Sequence, residues 1–131
     1  MIGIKLLKME LNNKSFPKKW EFWLVKFEKT SEDRKSFRPA LIISDDIRNE
    51  FDNLIVVIPT TTENLGQTEK FEVLVKKNSE LKLDNPCKLQ FFYPRTIDKK
   101  LRLVACLGMA NRDLIEQAKK AWKYSFDVDS W

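Results

Sequence analysis

Apolar positions in this chain fall into short runs of strand length, broken by polar stretches, until the period changes near the carboxyl end. WEFWLVKF (20–27) is rich in aromatic and β-branched residues and predicts a first strand. PALIIS (39–44) and NLIVVIP (53–59) are continuous apolar runs, a pattern that predicts strands buried on both faces. FEVLV (71–75), CKLQFFY (87–93) and RLVACLG (102–108) complete a set of five or six strands. The intervening EKTSEDRKSF (28–37), TTTENLGQTEK (60–70) and PRTIDKK (94–100) are polar and read as loops or turns. DDIRNEFDN (45–53) is a polar turn region with room for one helical turn.

From Asn111, an N-cap residue, Leu114, Ile115, Ala118, Ala121, Trp122 and Ser125 recur at helical spacing, with Glu116 and Lys120 an i,i+4 pair on the solvent side. Strands without helices between them argue against a parallel sheet. A small antiparallel barrel closed by one carboxyl-terminal helix is the predicted architecture. Residues 1–19 read as an amino-terminal extension and 20–131 as one domain.

Composition narrows the chemistry. Three glycines leave no phosphate-binding glycine loop, and the absence of histidine removes Ser/His and Cys/His nucleophiles. Two cysteines, Cys87 and Cys106, sit inside apolar runs and read as buried thiols. With no CxxC and no histidine there is no expected metal site, and no cofactor is expected. The amino terminus is interrupted by Lys5, Lys8 and Glu10, unlike a signal peptide. No stretch reaches the roughly 18 apolar residues of a membrane span. The expected location is cytoplasmic, without membrane association. A formal net charge of +5 favours a polyanionic partner.

Three polar features abut apolar strands: Arg38-Pro39, Thr60-Thr61-Thr62, and the segment from Pro94 to Lys99. An arginine at a strand mouth offers a planar fork of donors to phosphate oxygens, and threonine hydroxyls add shorter donors. Each has a plainer explanation: an edge charge, β-propensity followed by a turn, and a solvated loop.

Together, in this order, RPALIISDD, VVIPTTTE, PRTIDK and a closing amphipathic helix resemble the MazF/PemK family of toxin endoribonucleases. The resemblance covers residues 20 to 126. It implies an SH3-like antiparallel β-barrel with a carboxyl-terminal helix, as in CcdB and PemK, and a homodimer. It implies metal-independent cleavage of single-stranded RNA through attack of the 2′-OH on the adjacent phosphate, leaving a 2′,3′-cyclic phosphate and a 5′-OH. It implies a cognate antitoxin whose acidic tail occupies the RNA groove. Arg38 matches the family's catalytic arginine. Aligning Pro59 with the family's proline puts the catalytic threonine at Thr61, with Thr60 and Thr62, which period 2 turns to the opposite face, as the alternatives. Arg95 matches a basic position associated with RNA contact, and Phe37, Thr62 and Lys99 are further candidate RNA contacts. Phe92 stands where some members carry an acidic residue, so no carboxylate role transfers there. Glu32, Asp33 and Asp98 are the candidates for the general base. Phe37, Phe92 and Tyr93 are candidate base-stacking rings.

Two other readings share this barrel shape. A toxin that binds a protein target such as DNA gyrase would act through the carboxyl-terminal Asp129-Ser130-Trp131. A non-catalytic RNA-binding barrel would hold RNA and leave it whole.

Overall fold

A computed structural model describes residues 16–28 and 37–128. Most of the extension, the charged segment carrying Glu32 and Asp33, and the terminal residues 129–131 lie outside the described residues. Seven strands form one antiparallel sheet: β1 Glu21–Lys26, β2 Phe37–Ile42, β3 Leu54–Thr61, β4 Glu72–Val75, β5 Cys87–Gln90, β6 Arg95–Asp98 and β7 Leu103–Met109. Among the described residues three helices accompany them: α1 Asp46–Phe51, α2 Lys99–Arg102 and α3 Arg112–Phe126. The sheet runs β4-β5-β3-β2-β1-β7, with β6 added to β3.

β3 organises the sheet. One edge pairs with β2 through Val57, Ile58 and Pro59. Its other edge is divided, Leu54–Val57 pairing with β6 and Thr60–Thr61 with β5. Among the described strands β4 and β7 end the path without pairing, so the predicted barrel is a seven-stranded sheet that forks at β3 and does not close.

The continuous apolar runs are buried on both faces, as their pattern predicts. Phe22, Leu41 and Ile58 face a core that also holds Leu114, Ala118 and Ala121 of α3. Their neighbours Trp23, Ala40, Ile42 and Val57 face a second core with Phe27, Ile55, Ile97 and Leu103. α3 starts at the predicted cap, where the Asn111 side chain accepts from the Leu114 N–H at 2.8 Å. It ends at Asp127, whose φ of 51° is left-handed. On its surface Glu116 pairs with Lys119 at 3.8 Å, one position earlier than the expected Lys120.

Two elements depart from the sequence reading. The polar turn after β2 is a full short helix, with the Asp45 carboxylate capping the Ile47 N–H at 2.9 Å. PRTIDKK, read as a turn, contains β6 and the start of α2. Only Ile97 of β6 points into a core, so the strand lacks the apolar alternation that would reveal it.

β7 carries a bulge opposite Phe22, where Gly108 adopts φ +140°. A β-carbon there would approach the Glu80 carbonyl oxygen to 2.8 Å. Glu80 belongs to the loop between β4 and β5, which is folded around Asn78; its side chain accepts from the Glu80 and Leu81 N–H groups. Gly108→Ala should therefore cost about 1–3 kcal/mol, read as a lower urea midpoint. An unchanged midpoint would mean that the loop yields freely.

Candidate active site

The strand ends around β3 enclose a groove of about 860 Å³. Its walls include Phe37, Arg38, Thr60, Thr61, Thr62 and Arg95, so five of the six residues assigned to catalysis or RNA contact from sequence meet in one place, all but Lys99. The sheet register explains why. β2 and β6 flank β3 on opposite edges, and Val57 is opposite Ile42 on one side and Arg95 on the other.

Arg38 is held from two directions. Its guanidinium donates to the Thr60 carbonyl at 3.0 Å, and its central carbon lies 5.0 Å from the centre of the Phe27 ring. The Arg95 guanidinium lies 5.4 Å from the centre of the same ring. Phe27 is buried, so one aromatic ring supports two cations beside the groove. Two guanidiniums brought to one ring repel each other, and an anion between them and the solvent relieves that repulsion. This is a focus of positive potential suited to a phosphate.

The three threonines are not equivalent. Thr60 is buried, and its hydroxyl donates to the Pro39 carbonyl at 2.7 Å. That bond ties β3 to β2 and uses the hydroxyl structurally. Thr61 turns to the other face and is half-buried, its hydroxyl accepting the Glu63 N–H at 3.2 Å while keeping its own proton to donate. Thr62 is exposed on the rim. Phe37, also exposed, stands at the mouth with the Lys26 ammonium 5.9 Å from its centre.

Lys99 is the candidate the fold sends elsewhere. Its ammonium donates to the Asn49 and Glu50 carbonyls at 2.6 and 2.9 Å, closing the carboxyl end of α1. Burial, with Lys100 nearby, holds it below its ordinary value. Asp98 is likewise occupied, its carboxylate accepting from the Lys100 and Leu101 N–H groups at the start of α2 and lying outside the groove lining. Three charged groups that the sequence reading passed over do line the groove: Glu63, Lys82 and Asp84. Lys82 and Asp84 come from the β4–β5 loop, distant in sequence from every motif, and alternate there with the buried Leu81 and Leu83.

Cys87 also lines the groove. Burial pushes its thiol up to about 11, although a hydrogen bond with Thr60 opposes the shift. Burial, followed by the Glu21 carboxylate, pushes Cys106 up to about 11 as well. Neither is a thiolate near neutral pH, so neither serves as a nucleophile. Folded protein at pH 7 should react with iodoacetamide at least about tenfold more slowly than the urea-unfolded chain. Equal rates would mean accessible, ordinary thiols. Among the described residues no group of three His, Cys, Asp or Glu side chains is placed to hold a metal ion. No helix among them is long and apolar enough to cross a membrane.

The fold has solved counterparts. Mycobacterium tuberculosis toxin MazF-mt6 superposes with a TM-score of 0.68 at 21% identity, over 85% of this chain and 99% of that one. MazF from Deinococcus radiodurans gives 0.66 at 19% identity, over 88% and 100%. An endoribonuclease in complex with its cognate antitoxin from a mycobacterial species gives 0.69 at 17% identity, over 88% and 98%. No curated protein sequence matches. The family model of the PemK-like, MazF-like toxins of type II toxin–antitoxin systems matches residues 18–126. With that match over the fold and groove just described, the chain belongs to the PemK-like, MazF-like toxin family of type II toxin–antitoxin systems.

Proposed function

We propose that this toxin is an endoribonuclease that cleaves single-stranded RNA in the β3 groove without a metal ion. The observation that carries the reading is the convergence of Arg38, Thr61 and Arg95 on one groove, with two guanidiniums over a single buried ring. A phosphodiester seated there places its nonbridging oxygens against the Arg38 fork and the Thr61 hydroxyl. The adjacent ribose 2′-oxygen attacks phosphorus, the new O2′–P bond forms and the P–O5′ bond breaks. The products are a 2′,3′-cyclic phosphate and a 5′-OH.

Arg38 and Thr61 stabilise the charge that builds on the phosphoryl oxygens, where donors already in place act most strongly. A guanidinium keeps its proton and cannot take the one leaving the 2′-OH. Glu63 and Asp84 are the described carboxylates lining the groove and are the candidates for that base. Lys82 is a candidate donor to the departing 5′-oxygen. Arg95 binds the neighbouring phosphate, and Phe37 and Tyr93 offer ring faces to unstacked bases.

The same basic groove suits the acidic tail of a cognate antitoxin, which would block RNA by occupying its site. Exposed apolar side chains at Ile47 and Phe51 of α1, Leu54 of β3 and Leu101 of α2 supply a face for homodimer formation. The deciding experiment is incubation of purified, antitoxin-free toxin with a long single-stranded RNA in EDTA. Cuts with 5′-OH ends are expected. Intact RNA with folded toxin would refute the reading and favour passive RNA binding or a protein target.

A further inference from the structure

Tyr93 is both a wall of the groove and the first of a connected row of rings leading out of it. It meets Phe92 edge-on, with centroids 5.9 Å apart. Phe92 packs against Phe71 at 5.6 Å and lies nearly parallel to Phe126 of α3, at 6.4 Å and 13°. Phe126 in turn contacts Trp122 at 4.5 Å. This is not a core. Tyr93, Phe92 and Phe126 are 59%, 54% and 39% exposed. Rings left in water at such density, continuous with a cationic groove, call for a ligand with flat faces of its own.

We infer that this row is a second RNA subsite, on which bases beyond the cleaved phosphate stack as the strand leaves the groove. The inference rests on the ribonuclease reading and extends it to the terminal helix. Stacking is the right chemistry, because every base has a π-face and the row presents several ring faces without a hydrogen-bonding pocket. Charge agrees with it. Lys70 is exposed and adjoins Phe71 of the row, its ammonium 5.5 Å from the centre of the Tyr124 ring of α3, where it can meet a backbone phosphate.

The test compares fluorescent 2′-O-methyl RNA strands of mixed sequence, which cannot be cleaved because the attacking oxygen is blocked. One strand of about five nucleotides fills the groove alone, and one of about twelve also reaches the row. Phe126→Leu keeps apolar packing on Trp122 but removes a ring face. It should weaken binding of the longer strand by about 5–100-fold, with the short-strand Kd and the melting temperature unchanged. Equal long-strand affinities for variant and wild type overturn the inference and leave the rings to a protein partner. Wild type that binds neither strand overturns the ribonuclease reading as well. If Phe126→Leu fails to fold, Lys70→Gln decides the matter: the salt slope for the longer strand alone should fall by about 0.7, and an unchanged slope counts against the subsite.

Discussion

Arg38→Ala is expected to slow RNA cleavage by roughly 10²–10³, about 3–4 kcal/mol of transition-state stabilisation. The loss should fall mainly on kcat. Arg95 remains over the Phe27 ring to hold the strand, so KM should move only a few-fold. Stability should fall little, because the described hydrogen bond lost is the one to the Thr60 carbonyl, worth about 0.5–1.5 kcal/mol. Arg38→Lys keeps a charge but not the planar fork, so it should recover only part of the rate. Lys99→Ala is the contrast: with its ammonium bonded to α1 and off the groove, it should lower stability and leave the chemical step alone. Single-turnover cleavage alongside thermal melts separates these cases. Near-normal rates for Arg38→Ala would remove the guanidinium from the mechanism and return it to a strand-edge role.

Arg38 also marks the limit of what the chain alone discloses. Its strand, its neighbours in β3 and the terminal helix were legible because burial on both faces writes long apolar runs, and an amphipathic helix writes a clear period. The threonine triplet was legible in part. Alternation along β3 separates Thr61 from Thr60 and Thr62, and the buried Thr60 hydroxyl, bonded to Pro39, agrees with that separation. β6 was not legible: with one inward apolar residue it looks like a turn. Missing it left the sequence reading without a reason for Arg95 and Arg38 to share the Phe27 ring, since that proximity depends on β6 and β2 taking opposite edges of β3. Lys82 and Asp84 were hidden for another cause. A loop folded around Asn78, and packed where Gly108 of β7 leaves room for Glu80, brings them to the groove, and no local pattern encodes so distant a contact.

Lys99 and Lys88 warn against reading lysines by position. Lys99 ends a motif and Lys88 lies in a strand that pairs with Thr61, yet both serve the scaffold. Lys88 lies within a strand whose neighbours Cys87 and Leu89 are apolar, and nothing in that pattern foretells an ammonium buried to 3% exposure. The fold satisfies all three of its donors: the Asn64 carbonyl at 2.9 Å, the Gln67 carbonyl at 2.8 Å and the Glu72 carboxylate at 3.0 Å. These bonds fasten the loop between β3 and β4, which carries Glu63 into the groove and Lys70 to the aromatic row.

Lys88→Met should be the most destabilising single change of those considered, by about 3–5 kcal/mol, because it strands the Glu72 carboxylate and two carbonyls without their partner. Against the roughly 5–15 kcal/mol that holds a domain together, that is a large share. Urea unfolding should register it as a lower midpoint. Glu72→Gln should cost less, about 1–3 kcal/mol, since the ammonium keeps two carbonyl acceptors and a neutral one. Combining Lys88→Met with Glu72→Leu should recover part of the loss, because the stranded charge goes with its partner. Additive losses in that double variant would mean the pair is uncoupled and the lysine acts only through the loop carbonyls. The loop supplies a second readout. Freed of its clamp, the segment 62–70 should be cut by protease in Lys88→Met under conditions that leave the wild type intact. Cleavage of RNA should weaken in step, as Glu63 loses its fixed place beside Thr61. A variant that unfolds early yet keeps both an uncut loop and full nuclease activity when folded would show that the groove wall does not depend on the clamp.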